Sequence, residues 1–125
     1  MLRIMVADSD VRVRTALQWL LAQEPAQMRV ELSADLEALV ARMPSLAPDV
    51  LMLDWDLPGR ASVALLFALT SLAKKPRVIV LSSDMDVANT ALALGCDAFV
   101  YKGDPPEILR AALRTVMVAA DAVVI

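Results

Sequence analysis

The chain has 125 residues, the length of one ordinary domain. Its hydrophobic fraction of 58 % exceeds the ~45–50 % of average soluble chains, yet the longest uncharged stretch near mid-chain, residues 61–73, is shorter than the ~20 apolar residues of a membrane span. A net charge of −3 argues against the basic surface that sequence-independent nucleic-acid binding needs, and Asp8 and Asp10 interrupt any N-terminal apolar leader.

Taken in chain order, residues 3–7 form a first short apolar run and predict a strand. Residues 10–23 follow with Val13, Leu17, Leu20 and Leu21 at helical spacing, Ser9 or Asp10 as N-cap and Pro25 as stop. Residues 28–32 alternate, with Arg29 and Glu31 on one side, and predict an edge or half-covered strand. Residues 34–43 carry Leu36, Leu39, Val40 and Met43 on one helical face, with Pro44 after them. Residues 49–53 are almost wholly apolar, which predicts a strand buried on both faces. Residues 61–72 predict an apolar helix whose negative end is met by Lys74 and Lys75. A second buried strand is predicted at 77–81 and a short helix at 86–94 closed by Gly95. A strand at 98–101 and a helix at 106–120, opened by two prolines and Glu107, complete the chain. Strand and helix alternate five times without a linker, so one α/β domain over residues 1–125 is expected, with a parallel sheet covered by helices on both faces. Such a sheet accounts for the high apolar content.

Cys96 is the single cysteine and there is no histidine. Internal disulfides, Ser-His-Asp and Cys-His catalysis and His-ligated zinc are therefore excluded, and a reduced cytoplasmic setting fits. Cys96 and most of the seven methionines read as core residues, and Trp19 as a packing residue of the first helix. Open α/β sheets bind ligands beyond the carboxyl ends of their strands. There the sequence offers Asp8, Ser9 and Asp10, then Asp54, Trp55 and Asp56, then Ser82, Ser83 and Asp84, and lastly Lys102, Gly103 and Asp104. Carboxylates without His or Cys favour Mg²⁺. Beside such a cation an Asp can attack phosphorus, with a hydroxyl and an ammonium holding the phosphoryl oxygens. For Asp10 and Asp104, helix capping is the plainer reading.

These residues carry a resemblance. VAD at 6–8, PDVLMLDWDLPG at 48–59, VIVLSS at 78–83 and GCDAFVYKG at 95–103 resemble the receiver domains of two-component response regulators. GDPPEILRAAL at 103–113 is most similar to receivers that precede LuxR/NarL-type helix-turn-helix domains. The resemblance implies a five-stranded (βα)5 flavodoxin-like fold of strand order 2-1-3-4-5. It implies a chain that is no enzyme beyond catalysing its own phosphorylation and dephosphorylation. Asp54 matches the phosphoacceptor, fed by a sensor histidine kinase. Asp8, Asp54 and Asp56 match the Mg²⁺ site, Asp56 through its carbonyl. Ser82 and Lys102 match the residues that hold the phosphoryl group, and Ser82 and Phe99 the switch pair. Asp56 and Asp84 match positions that tune hydrolysis, although Asp84 equally suits an N-cap of the fourth helix. The implied output face is helix 4, strand 5 and helix 5, read by an effector or a second copy. Nucleic acid would be a partner only through a helix-turn-helix domain elsewhere in a longer protein, and no membrane partner is expected.

Two positions depart from the pattern. Ser9 stands where the family has the second acid of the metal pair, and Gly103 where many receivers have proline after the lysine. Ser9 motivates a second reading, a phosphorylation-independent interaction module on the same fold. A third reading, a haloacid-dehalogenase-type phosphatase using Asp54 and Asp56, is disfavoured because this DxD lies on the third strand and no late acidic pair follows.

Overall fold

The computed structural model describes residues 1–57, 62–69, 72 and 74–123. Five strands and five helices alternate: β1 Leu2–Ala7, α1 Val11–Ala22, β2 Met28–Ser33, α2 Leu36–Leu46, β3 Val50–Asp54, α3 Ser62–Leu69, β4 Arg77–Ser82, α4 Val87–Ala93, β5 Ala98–Tyr101 and α5 Pro106–Val123. The strands form one parallel sheet of order β2-β1-β3-β4-β5, as expected. β2, with Arg29 exposed and Glu31 half-buried, is an edge strand.

Side-chain alternation turns one apolar strand into two cores. Leu51 and Leu53 of β3 join Met5, Val78 and Val80 in a core closed by Leu39 of α2, Leu65 and Leu66 of α3 and Ala91 of α4. Val50 and Met52 join Ile4, Val6, Ile79 and Leu81 in the opposite core, closed by Leu17 and Leu21 of α1 and Leu113 and Val116 of α5. Every residue of β3 is buried. Burying each such aliphatic side chain contributes roughly 1.5–3 kcal/mol, so the high apolar content of the sequence is the cost of covering this sheet on both faces. Among the described residues no helix is long and apolar enough to cross a membrane.

Local chemistry sets the boundaries. Asp10 caps α1 by accepting from the Arg12 amide at 2.8 Å, and Asp35 caps α2 by accepting from Ala38 at 2.8 Å. Gly95 follows α4 with φ +101, a conformation that glycine adopts without a Cβ penalty. Some boundaries differ from the sequence expectation. Helix α2 continues through Pro44 to Leu46, and Ala47 ends it at φ 41, its amide donating to the Met43 carbonyl at 2.9 Å. A proline in the last turn forfeits one helical hydrogen bond, which the flanking turn outlasts. Lys74 lies beyond α3 and pairs with Asp49 at 3.2 Å, so it serves the β3 entry rather than the helix end. The ends of the expected helix at residues 61, 70 and 71, and residues 58–59 of the long motif, lie outside the described residues. Trp19 is 66 % exposed, on the rim of a cleft of about 1010 Å³ between α1 and the start of α5, and does not pack in the core.

Candidate functional site

Parallel register explains how distant acids meet. Val6 pairs with Met52 and Ala7 with Leu53, so Asp8 and Asp54 stand one step further along neighbouring strands. Asp54 is itself in register with Leu81, and Ser82 with Tyr101, the residue before Lys102. Alternation places Asp8 on the side of Ile4 and Val6, and Asp54 on the side of Val50 and Met52, which is the same face of the sheet. All of this lies at the carboxyl edge, where open α/β sheets bind ligands.

Asp8, Asp54 and Ser82 are buried, the first and last completely. One Asp8 carboxylate oxygen, Oδ1, accepts from the Asp10 amide at 2.9 Å. The other, Oδ2, lies 2.9 Å from Lys102 Nζ, close enough for an ion pair, but has no aligned hydrogen-bond donor. Asp54 Oδ1 accepts from the Asp56 amide at 3.0 Å and lies 3.2 Å from the same Nζ. A single ammonium thus bridges two buried carboxylates. Burial raises the Asp8 pKa, opposed by the Asp10 amide and by Lys102, and the net shift is upward. Burial would lower the Lys102 pKa, but its contact with Asp8 and the charges of Asp54 and Asp8 outweigh it, so Lys102 stays charged.

Ser82 Oγ accepts from the Asp84 amide at 3.0 Å, and its carbonyl accepts from the Lys102 amide at 2.8 Å. Asp84 is exposed and accepts from the Asp86 amide at 2.9 Å, so it supports the turn ahead of α4 and is not the helix N-cap. Phe99 is half-buried against the core under α2, α3 and α4. Trp55 is half-buried against the same core, and its amide donates to the Leu81 carbonyl at 2.8 Å. Asp10 is committed to capping α1 and to Arg12, which lowers its pKa. Ser9 and Asp56 are exposed. Cys96 is buried, and burial pushes its thiol pKa up to about 11, consistent with an inert core residue.

Sequence reasoning missed Arg14. It is half-buried and donates through Nη1 to the Asp8 carbonyl at 2.7 Å, bracing the β1–α1 turn. Its signal was available: residues 14, 17 and 21 share one helical stripe, so a charge there faces inward beside Leu17 and Leu21.

Among the described residues no three His, Cys, Asp or Glu side chains gather closely enough to hold a metal by themselves. The donors nonetheless suit Mg²⁺, which commonly takes one or two carboxylates and keeps several waters. Asp8 Oδ2, buried without an aligned donor, is the kind of oxygen such a cation satisfies.

Known proteins give a concordant picture. Residues 4–114 match the family model described as a response regulator receiver domain. The chain is 32 % identical over 107 residues to a protein-glutamate methylesterase/protein-glutamine glutaminase of Methanospirillum hungatei, covering 82 % of this chain and 31 % of that protein. It is 30 % identical over 114 residues to the nitrate/nitrite response regulator protein NarL of Escherichia coli, covering 89 % of this chain and 52 % of that protein. The chain therefore spans about a third of the first relative and about half of the second. A crystal structure of a CheY-like response regulator receiver domain protein from M. hungatei shares the fold, with a TM-score of 0.84, 19 % identity and 98 % coverage of both chains. With its strand order, its acidic edge and the family match along most of its length, the chain belongs to the response regulator receiver domain family of two-component signalling.

Proposed function

We propose that Asp54 accepts a phosphoryl group from the phosphohistidine of a sensor kinase, and that the resulting charge switches the face formed by α4, β5 and α5. The observation that carries this reading is the ammonium of Lys102 held between buried Asp8 and Asp54, with Ser82 buried on the next strand. Asp54 Oδ1 is occupied by the Asp56 amide and Lys102, so Oδ2 is the attacking oxygen. A new O–P bond forms as the P–N bond to the donor imidazole breaks, and the electron pair leaves on the imidazole nitrogen. Asp8, Asp54 and the main-chain carbonyl of Asp56 would hold Mg²⁺, with Ser9 contributing no charge. When bound, the metal offsets repulsion between the carboxylates and the incoming phosphoryl oxygens. Lys102 then pairs with one phosphoryl oxygen and the Ser82 hydroxyl donates to another. Movement of Ser82 toward the phosphoryl group opens space beside β4 for Phe99, and the change reaches exposed Leu92 of α4 and Ile108 of α5. An effector domain or a second copy of the chain reads that face, and Asp56 and Asp84, exposed in the turns after β3 and β4, set the lifetime of the acyl phosphate. The receiver fold suits a cytoplasmic module.

Acetyl phosphate with Mg²⁺ tests the reading. The chain should gain the mass of one phosphoryl group, and Asp54→Ala should gain none. Absence of Mg²⁺-dependent labelling of the wild type would overturn the proposal.

A further inference from the structure

Tyr101 and Gly103 flank Lys102 in the chain and touch each other across it. The Tyr101 ring lies over the Cα of Gly103: a Cβ there would fall 2.7 Å from ring Cζ and 2.9 Å from Oη, well inside van der Waals contact. Gly103 does not have a left-handed backbone that would itself call for glycine. A Cβ there would meet the ring and not the main chain, so a side chain at 103 and the ring cannot both keep these positions. The same segment is a tight turn, with the Asp104 amide donating to the Tyr101 carbonyl at 3.0 Å and the Lys102 amide to the Ser82 carbonyl at 2.8 Å. Lys102 is therefore tied at its main chain to β4 and at its ammonium to Asp8 and Asp54, and the ring closes over the residue that follows it. A lysine side chain has four flexible bonds, so a backbone held in place narrows the positions its ammonium can reach and lowers the entropy lost in bridging both carboxylates.

We infer that Tyr101 is a positioning residue for Lys102, acting through Gly103. Its ring packs on the bare Cα and fixes the turn from which one ammonium reaches both carboxylates. The contribution is the ring's bulk, since among the described residues no hydrogen bond of the Tyr101 hydroxyl supports the turn. The inference rests on the acceptor role of Asp54 only for its kinetic consequence. Its geometric content stands apart from that role.

Two readouts separate these. The first is the ¹H–¹⁵N cross-peak of the Lys102 ammonium in the unphosphorylated chain, assigned with Lys102→Arg; slow proton exchange makes it visible while the ion pairs hold. The second is the rate of acetyl-phosphate labelling at Asp54. Gly103→Ala and Tyr101→Ala should each erase the cross-peak and slow labelling about tenfold, a loss in the range expected for a displaced reacting group. The double variant should be no slower than either single one, because both remove the same contact. Tyr101→Phe should keep the cross-peak and the rate. Thermal melts check the fold, and Tyr101→Leu, which should also erase the cross-peak, serves if Gly103→Ala does not fold. A retained cross-peak in both Gly103→Ala and Tyr101→Leu, or additive rate losses in the double variant, would overturn the inference. If the wild type does not label while the cross-peak follows this pattern, the acceptor reading fails and the positioning role stands.

Discussion

Replacing Asp8 with asparagine is expected to stabilise the fold at neutral pH. Asp8 is completely buried, and the one cation it touches is shared with Asp54. At an effective dielectric constant of about 20, the 2.9 Å contact with Lys102 is worth roughly 5–6 kcal/mol of attraction. Both carboxylates touch the same Nζ, so their nearest oxygens are at most about 6 Å apart and repel by roughly 3 kcal/mol or more. Burying an ion costs several kcal/mol further. The balance favours losing the charge by on the order of 1 kcal/mol, and Lys102 keeps Asp54 as its partner in the variant. For a chain of this length that corresponds to a rise in Tm of about 3–5 °C. The sign with pH follows from the raised pKa of Asp8. The folded chain holds this proton more tightly than the unfolded chain, whose carboxyl titrates near 3.8. The wild type gains from that protonation in acid and loses the gain as pH rises through the folded pKa. Asp8→Asn has no such loss, so its advantage should be small at about pH 4 and grow from there toward neutral pH as the folded pKa of Asp8 is passed. Urea unfolding across that range measures it. A variant less stable than the wild type at neutral pH, or an advantage independent of pH, would refute the reasoning.

Three further outcomes are expected. Lys102→Met leaves two buried carboxylates without their cation and should cost about 3 kcal/mol in urea melts, much of it recovered by adding Asp8→Asn. Ser9→Asp adds a carboxylate beside Asp8 and should tighten Mg²⁺ binding about tenfold or more, followed by the fluorescence of Trp55 next to the acceptor. Unchanged affinity would mean that Ser9 is no defect. Cys96, with its thiol pushed up to about 11 and buried, should react slowly with a disulfide reagent in the folded chain and quickly in urea.

The apolar runs of β3 and β4 announce a doubly covered sheet because only a strand buried on both faces is uniformly apolar. Asp54 is legible for the same reason, as an acid ending such a run. Asp8, Asp54 and Lys102 converge because parallel register lines up strand ends, a regularity that the order of elements already implies. Less legible is what depends on side-chain direction and local competition. Pro44 looks like a helix stop, but Ala47 ends the helix one turn later through its left-handed backbone. Trp19 reads as a packing residue of the first helix, yet it is 66 % exposed on a cleft rim. Lys74 is drawn to Asp49 rather than to the end of α3. The packing of Tyr101 on Gly103 has no sequence signal beyond the missing side chain, since it depends on a ring rotamer that only the folded turn selects.

The central claim is that Asp54, and no other carboxylate, carries the phosphoryl group. Borohydride reduction of the chain after acetyl-phosphate treatment with Mg²⁺ tests it most directly, because an aspartyl phosphate is reduced to homoserine where it stood. The account predicts homoserine at position 54 alone, absent without phosphodonor. Homoserine at Asp8, Asp10 or Asp56, or none in a chain that has been labelled, would contradict it.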